Sequence, residues 1–434
     1  MKLLKSTIIT FFSNIFIFSI SIITTLITSR VLGAEGKGIL SIGNNIISIA
    51  LIILGFGIAA SNVFFVGRDK KDTDSILGIN FLVAFISLVA IIILYFLNSK
   101  YHFNILFKGL NNKTIAIVLL IIPFYNLKSS LINILLGLED IVNYNKINII
   151  DNIVTLIFLI IFIFIYKSPY WIFISNLLSV LTVLIILMYN LKYKNKYRLS
   201  FKLSLFKHML GYGVKAQIGN AIQFLNYRLD LFIIQYLLPI AQVGVYSIAV
   251  ALGETMWKIS STVSTMVLPM TANSKNKAEM KDTINKVTRI TFAIILVCSI
   301  LIIPFSELII MFLGKDFKGS INALILLIPG ISIFSICNIL SSYIAGIGLV
   351  EKNIIASTVS CIATVILDFA LIPVMGINGA SVATSISYIL ATIITIYFYV
   401  KITGSNIKDI LVIKKEDIAE IKLKVKVTIA KKFK

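Results

Sequence analysis

Gly211–Leu237 reads GYGVKAQIGNAIQFLNYRLDLFIIQYL, long enough to cross a bilayer, yet it carries Lys215, Arg228 and Asp230. A bilayer core takes about 20 apolar helical residues. A charge at its centre costs at least ~2.5 kcal/mol. Three charges in one span need a polar cavity, a partner or an interface. The stretch reads as a helix that opens the second half of the chain and faces a hydrated path.

Working outward, the remainder is still more apolar. The chain has 434 residues, 58% hydrophobic and 14% charged, where a soluble protein carries about 25% charged residues. Apolar segments of membrane length recur from end to end, so the class is an all-α polytopic membrane protein. A transmembrane barrel is excluded, because the segments are continuous Ile/Leu/Phe/Val runs and not ten-residue alternations. The net charge of +21 belongs to loops on one side and to the C-terminal tail, so membrane orientation accounts for it and nucleic acid is not an expected partner. Cys298, Cys337 and Cys361 lie in apolar spans without CxxC spacing or a nearby His, and His102 and His208 are far apart. No metal, redox or triad constellation results. Met1–Ser29 is too long for a signal-peptide core and lacks a small-x-small cleavage site, so it reads as the first span.

Hydropathy gives twelve spans: about 7–29, 38–66, 77–97, 115–136, 148–166 and 170–190, then 211–237, 242–270, 287–313, 321–347, 353–374 and 378–400. With the N-terminus inside, 28 of the 40 lysines and arginines fall in inner segments and 8 in outer loops, which puts both termini in the cytoplasm. Leu32-Gly33-Ala34-Glu35-Gly36-Lys37-Gly38-Ile39-Leu40-Ser41-Ile42 aligns with Leu238-Pro239-Ile240-Ala241-Gln242-Val243-Gly244-Val245-Tyr246-Ser247-Ile248 at an offset of 206. The same offset pairs Asn14 with Asn220 and Pro123 with Pro329. Six spans per copy give both copies one topology, related by a pseudo-two-fold axis along the membrane normal. The expected organisation is a six-helix bundle over 1–190, a basic cytoplasmic linker over 191–209, a second six-helix bundle over 210–400 and a Lys-rich cytoplasmic tail over 401–434, solvated or bound to headgroups. Chance identity in apolar sequence is the competing explanation of the repeat.

Polar groups inside the spans are the candidate site. Projection at 100° per residue places Gly213, Gln217, Asn220, Gln223, Tyr227 and Asp230 on one face of the seventh span. Such a stripe must face protein or water. Arg228 flanks it and is a candidate for an anionic ligand, while Asp230 is a cavity and ion-coupling candidate; a structural salt bridge is the alternative for both. Lys215, near the span end, snorkels. In the eighth span Glu254 and Lys258 stand i,i+4, lining a cavity or simply neutralising each other. Lys128 sits mid-span with no acid in its own helix and is expected to be unpaired, which makes it the leading candidate for a phosphate-like anion. Asp368, in the eleventh span, is the candidate for a coupling proton or sodium ion, with a hydrogen bond to a neighbouring helix as the alternative. Asp151 is expected at the interface. Arg30 reads as an interfacial anchor beside Gly33, Gly36 and Gly38, which permit a tight reversal.

Three stretches carry a resemblance: TLITSRVLGAEGKGIL (25–40), the RLDLFII…VGVYSIAVALGE…LP course over Tyr227–Pro269, and DFALIPVMGINGASVATSISY (368–388). They are similar to the oligosaccharide-lipid flippase family of the multidrug/oligosaccharidyl-lipid/polysaccharide exporter superfamily, over about residues 1–400. Where relatives often carry Asn before the LIP segment, this chain has Asp368. The resemblance implies two bundles alternating between inward- and outward-open states in a bacterial cytoplasmic membrane. It also implies an undecaprenyl-diphosphate-linked oligosaccharide as cargo; the spans themselves offer Lys128, Arg228, Lys258, Asn220 and Gln223 as candidates to hold it and Asp368, Asp230 and Glu254 as candidate coupling groups. No cofactor is expected. Membrane lipids and polysaccharide-assembly proteins such as a polymerase are expected partners, and the chain is expected to be a monomer. A multidrug or cation exporter of the same fold and a peptidoglycan-precursor flippase are the rivals. An assembly enzyme is disfavoured by short outer loops and the lack of GxGxxG, Walker A or HExxH motifs.

Overall fold

The structure, a computed structural model, describes residues 2–101, 107–191, 198–274 and 276–417. His102, Lys275, part of the expected linker (192–197) and the tail beyond Asp417 lie outside the described residues. Regular structure among the described residues is helical throughout: α1 Lys2–Leu54, α2 Ile58–Arg68, α3 Thr73–Tyr101, α4 Asn112–Gly137, α5 Ile141–Tyr166, α6 Pro169–Tyr189, α7 Leu203–Leu237, α8 Ile240–Ala272, α9 Lys277–Leu313, α10 Gly319–Gly346, α11 Val350–Met375, α12 Ile377–Thr403 and the short α13 Ile407–Leu411.

Nine of these are long and apolar enough to cross a membrane, and one of the nine, Phe12–Leu54, has 43 residues. Gly33 interrupts it with φ 66° and ψ −172°, a conformation open to glycine, so the segment holds two helices that meet where the first two spans were expected to join. α7 and α8, of 35 and 33 residues, are long enough but more polar than the nine, α7 with Lys207, Lys215, Arg228 and Asp230 and α8 with Glu254 and Lys258. The described helices therefore correspond to the twelve expected spans.

Local chemistry fixes the helix ends. The Asn111 side chain accepts from the Thr114 amide at 2.8 Å to cap α4, and Asp140 does the same for Asn143 at 3.2 Å to start α5. Gly404, with φ 66°, closes α12. Pro123 lies inside α4 and Pro329 inside α10, the fourth and tenth spans that the repeat equates. Gly38 and Gly244, also equated, pack against one another, and a Cβ on either would strike the other segment's backbone.

The chain divides into two compact units, Met1–Val245 with Phe312–Phe317, and Tyr246–Met311 with Lys318–Lys434. By compactness α7 counts with the first. The division at 191–209 remains a proposal about the repeat, which compactness does not test. In the first unit Ile58, Ile79, Leu131, Ile134, Val183 and Met209 form the fully or almost fully buried centre. Asn62 ties three helices by donating to Asn80 at 3.1 Å and to the Ser130 carbonyl at 2.9 Å. Residues 198–202 are seated at the start of α3, where the Arg198 amide donates to Asp74 at 2.9 Å and Lys202 meets Asp72 at 2.7 Å.

In the second unit α11 buries Ala356, Ser360, Thr364, Asp368 and Ile372, a strict four-residue stripe, and Ser360 donates from it to the Ser387 carbonyl of α12 at 3.0 Å. The expectation of a solvated or headgroup-bound tail from 401 is corrected for 405–417. Asn285 donates to Ser405 at 3.1 Å, Ile410 is fully buried, and Arg289 holds Asp417 by two bonds of 2.5 and 2.8 Å. Composition concealed this, because an Asp in a Lys-rich tail does not announce a partner 128 positions away.

Candidate functional site

Two sets of polar groups stand in the spans of the first unit. The first is centred on Lys128 of α4, whose ammonium lies 2.9 and 2.7 Å from the two carboxylate oxygens of Asp151 on α5. The Tyr125 ring, one turn earlier on α4, covers the ammonium at 4.3 Å from its centroid, close enough for a cation–π contact. This corrects the expectation that Lys128 is unpaired, and it moves Asp151 from the interface into an ion pair. Periodicity within α4 could not reveal a partner on another helix. The Lys128 side chain is 5% exposed and that of Asp151 16%, so the carboxylate is the more accessible member.

Along its length α5 also carries amides and hydroxyls. Asn145 donates to Thr10 of α1 at 2.9 Å, and Thr155 shares a 2.7 Å bond with Ser179 of α6. Asn148 and Asn152 each donate to the carbonyl one turn before them, at 3.0 and 2.9 Å. Beside Asn145, one turn on, Ile149 lines an apolar groove of about 610 Å³ with Ile9, Phe12, Ser13, Ile15, Phe16 and Ser19 of α1.

The second set is the α7 stripe. Asn220 donates to Gln217 at 3.3 Å, Gln223 to the Tyr227 hydroxyl at 2.6 Å, and Gln217 to the Ile52 carbonyl of α1 at 3.2 Å. These i,i+3 and i,i+4 bonds put the predicted residues on one face, with Asn220 and Gln223 exposed. Asp230 is buried and accepts from the Leu231 amide at 2.7 Å. Arg228 is half-buried. Gly213 belongs to packing: it lies against the backbone of Phe56 and Gly57, where a side chain has no room. Lys215 is exposed, as a snorkelling lysine requires.

In the second unit Glu254 is half-buried and Lys258 exposed on α8. Among the described residues Lys258 makes no ion pair, so the i,i+4 pairing with Glu254 is not formed. Asp368 is fully buried in the α11 stripe. The sequence did not reveal an aromatic group in this unit: Phe334 stacks on Tyr388 with centroids 4.6 Å apart, and Trp257 of α8 lies 5.5 Å from Phe334. Among the described residues no group of three or more His, Cys, Asp or Glu is placed to hold a metal ion.

Chemically, the first unit offers a buried Lys128–Asp151 ion pair, an exposed amide stripe able to meet hydroxyl-rich ligands, and an apolar groove that admits an alkyl chain. The chain's fold matches solved transporters. A structure titled lipid II flippase MurJ, inward closed conformation, aligns with a TM-score of 0.76 at 19% identity, covering 94% of this chain and 89% of that one. A transporter of the MOP superfamily from Pyrococcus furiosus Vc1, whose title speaks of a reversed binding-pocket polarity, aligns at 0.66 and 14% identity over 92% and 96%. An inward-facing multidrug resistance MATE family transporter aligns at 0.69 and 14% over 89% and 94%. No curated protein matches by sequence. The sequence profile of one family, described as polysaccharide biosynthesis protein, matches residues 27–322. With that profile over more than half its length, on the fold of the MOP-superfamily transporters, this multi-pass membrane chain belongs to the polysaccharide biosynthesis protein family.

Proposed function

We propose that the chain is a secondary transporter, an alternating-access flippase. It carries an undecaprenyl-diphosphate-linked oligosaccharide from the cytoplasmic to the outer leaflet of a bacterial cytoplasmic membrane, for assembly of a surface polysaccharide such as O-antigen, capsule, teichuronic acid or exopolysaccharide. Both termini face the cytoplasm in this reading, and the first and second six-helix bundles cover 1–190 and 210–400. The observation that carries it is the pairing of chemistries in one unit. Arg228, and Lys128 once it leaves its Asp151 partner, would meet a diphosphate within the spans, and Asn220 and Gln223 are exposed amides suited to sugar hydroxyls. The α1–α5 groove, apolar and open, suits the polyprenyl chain.

An exporter of organic cations needs an acidic, aromatic pocket, and intramembrane lysine and arginine oppose it. A peptidoglycan-precursor flippase is the second reading, favoured by the structural likeness to the lipid II flippase and opposed by twelve helices where those proteins commonly carry fourteen. Deleting the gene from its own host tests both. Our reading expects loss of the surface polysaccharide, accumulation of its lipid-linked unit in the inner leaflet and unchanged cation-drug sensitivity. Lysis with intact polysaccharide would instead assign the chain to peptidoglycan.

A further inference from the structure

Two buried ion pairs among the described residues are built differently. Arg289 and Asp417, 8% and 2% exposed at their side chains, are fastened on all sides. The guanidinium gives two bonds to the carboxylate and a third, of 3.0 Å, to the Asp409 carbonyl, and Asp417 also accepts from the Lys414 amide at 3.0 Å. A buried pair needs such additional bonds to offset desolvation. The Lys128–Asp151 pair lacks them. Among the described residues Asp151 bonds to Lys128 alone, and Lys128 adds only the Tyr125 ring. The carboxylate and the ring are the more exposed members, and Lys128 is buried. As it stands the pair is neutral and offers no net charge to an anion.

We propose that Asp151 is a displaceable counter-anion: it holds Lys128 in the empty carrier and yields it to a phosphate of the cargo. This rests on the cargo reading above. A diphosphate carries more charge than a carboxylate and makes stronger charge-assisted bonds, so it wins the ammonium where a neutral sugar or a single carboxylate does not. The released carboxylate has a receiver in place. Asn148, three residues earlier on the same face of α5, gives one amide N–H to the Tyr144 carbonyl and has a second to offer. Asp151 thereby sets specificity, because only a cargo head able to displace it binds.

The test uses the full chain in nanodiscs, with farnesyl diphosphate, farnesyl monophosphate and farnesol as probes in a binding titration. Wild type binds the diphosphate in preference to the others. Asp151→Asn removes the competitor, so diphosphate affinity rises at least tenfold and the monophosphate becomes a ligand. The Lys128→Met/Asp151→Leu double variant replaces the pair by apolar groups, stays folded and loses diphosphate binding. If Asp151→Asn binds the diphosphate no more tightly than wild type, or the double variant binds as wild type does, the counter-anion proposal is overturned while the cargo reading stands. If wild type binds no prenyl diphosphate at all, the cargo reading falls and takes the proposal with it.

Discussion

Asp417→Asn is the substitution whose effect can be worked furthest from the structure. Its carboxylate is nearly inaccessible and takes two bonds from Arg289. Removing one partner of a buried pair costs about 3–5 kcal/mol, chiefly because the other charge is left unpaired. The loss has a local outlet, since residues 405–417 can leave while α9 and α12 stay packed. The segment's opening equilibrium should then rise by roughly two to three and a half orders of magnitude, at about 1.4 kcal/mol per tenfold. Amide hydrogen exchange reads this directly at Lys414 and Asp417, whose N–H groups are bonded within the segment. Acid should imitate the substitution. The Arg289 hydrogen bonds hold the Asp417 carboxyl below the usual carboxylate range, so its contribution is full above that range and is lost as pH falls through the depressed value. Exchange corrected for intrinsic rates should accelerate in acid for wild type and stay flat for Asp417→Asn. A change under tenfold at pH 7, or the same acid response in both proteins, refutes the reasoning.

Other perturbations have equally definite outcomes. Gly38→Val and Gly244→Val each push a side chain into backbone that cannot yield, so each should lower stability by at least about 1–3 kcal/mol, read as a lower thermal midpoint in detergent; an unchanged midpoint in both contradicts the contact. Lys202→Ala should leave that midpoint where it was, because its partner Asp72 is met at an exposed surface. For Asp368→Asn, flipping driven by an imposed ion gradient should lose its gradient dependence, and full retention returns Asp368 to a packing role within the α11 stripe.

Periodicity and hydropathy made much of the fold legible. The twelve spans, the break at Gly33 and the polar face of α7 all follow from patterns inside single segments. What stayed hidden joins segments. Lys128 and Asp151 are 23 positions apart on different helices, and neither helix alone says that they meet. Gly213 shares the face of the polar stripe, and only the approach of Gly57 shows it to be a packing glycine. The Glu254–Lys258 spacing allowed either a pair or a cavity lining, and among the described residues Lys258 makes no ion pair. Local pattern fixes which face a residue occupies; tertiary packing decides its partner.

The central claim is movement of a lipid-linked glycan through the chain, and reconstitution measures it. Proteoliposomes would receive an undecaprenyl-diphosphate oligosaccharide, with its exposure at the outer face followed over time by a membrane-impermeant glycan-oxidising reagent. Wild type should equilibrate the glycan between leaflets at a rate that Lys128→Ala and Arg228→Ala each reduce at least tenfold, with both variants still present in the membrane. Exposure no faster than in protein-free liposomes, or full rates in both variants, would contradict the account.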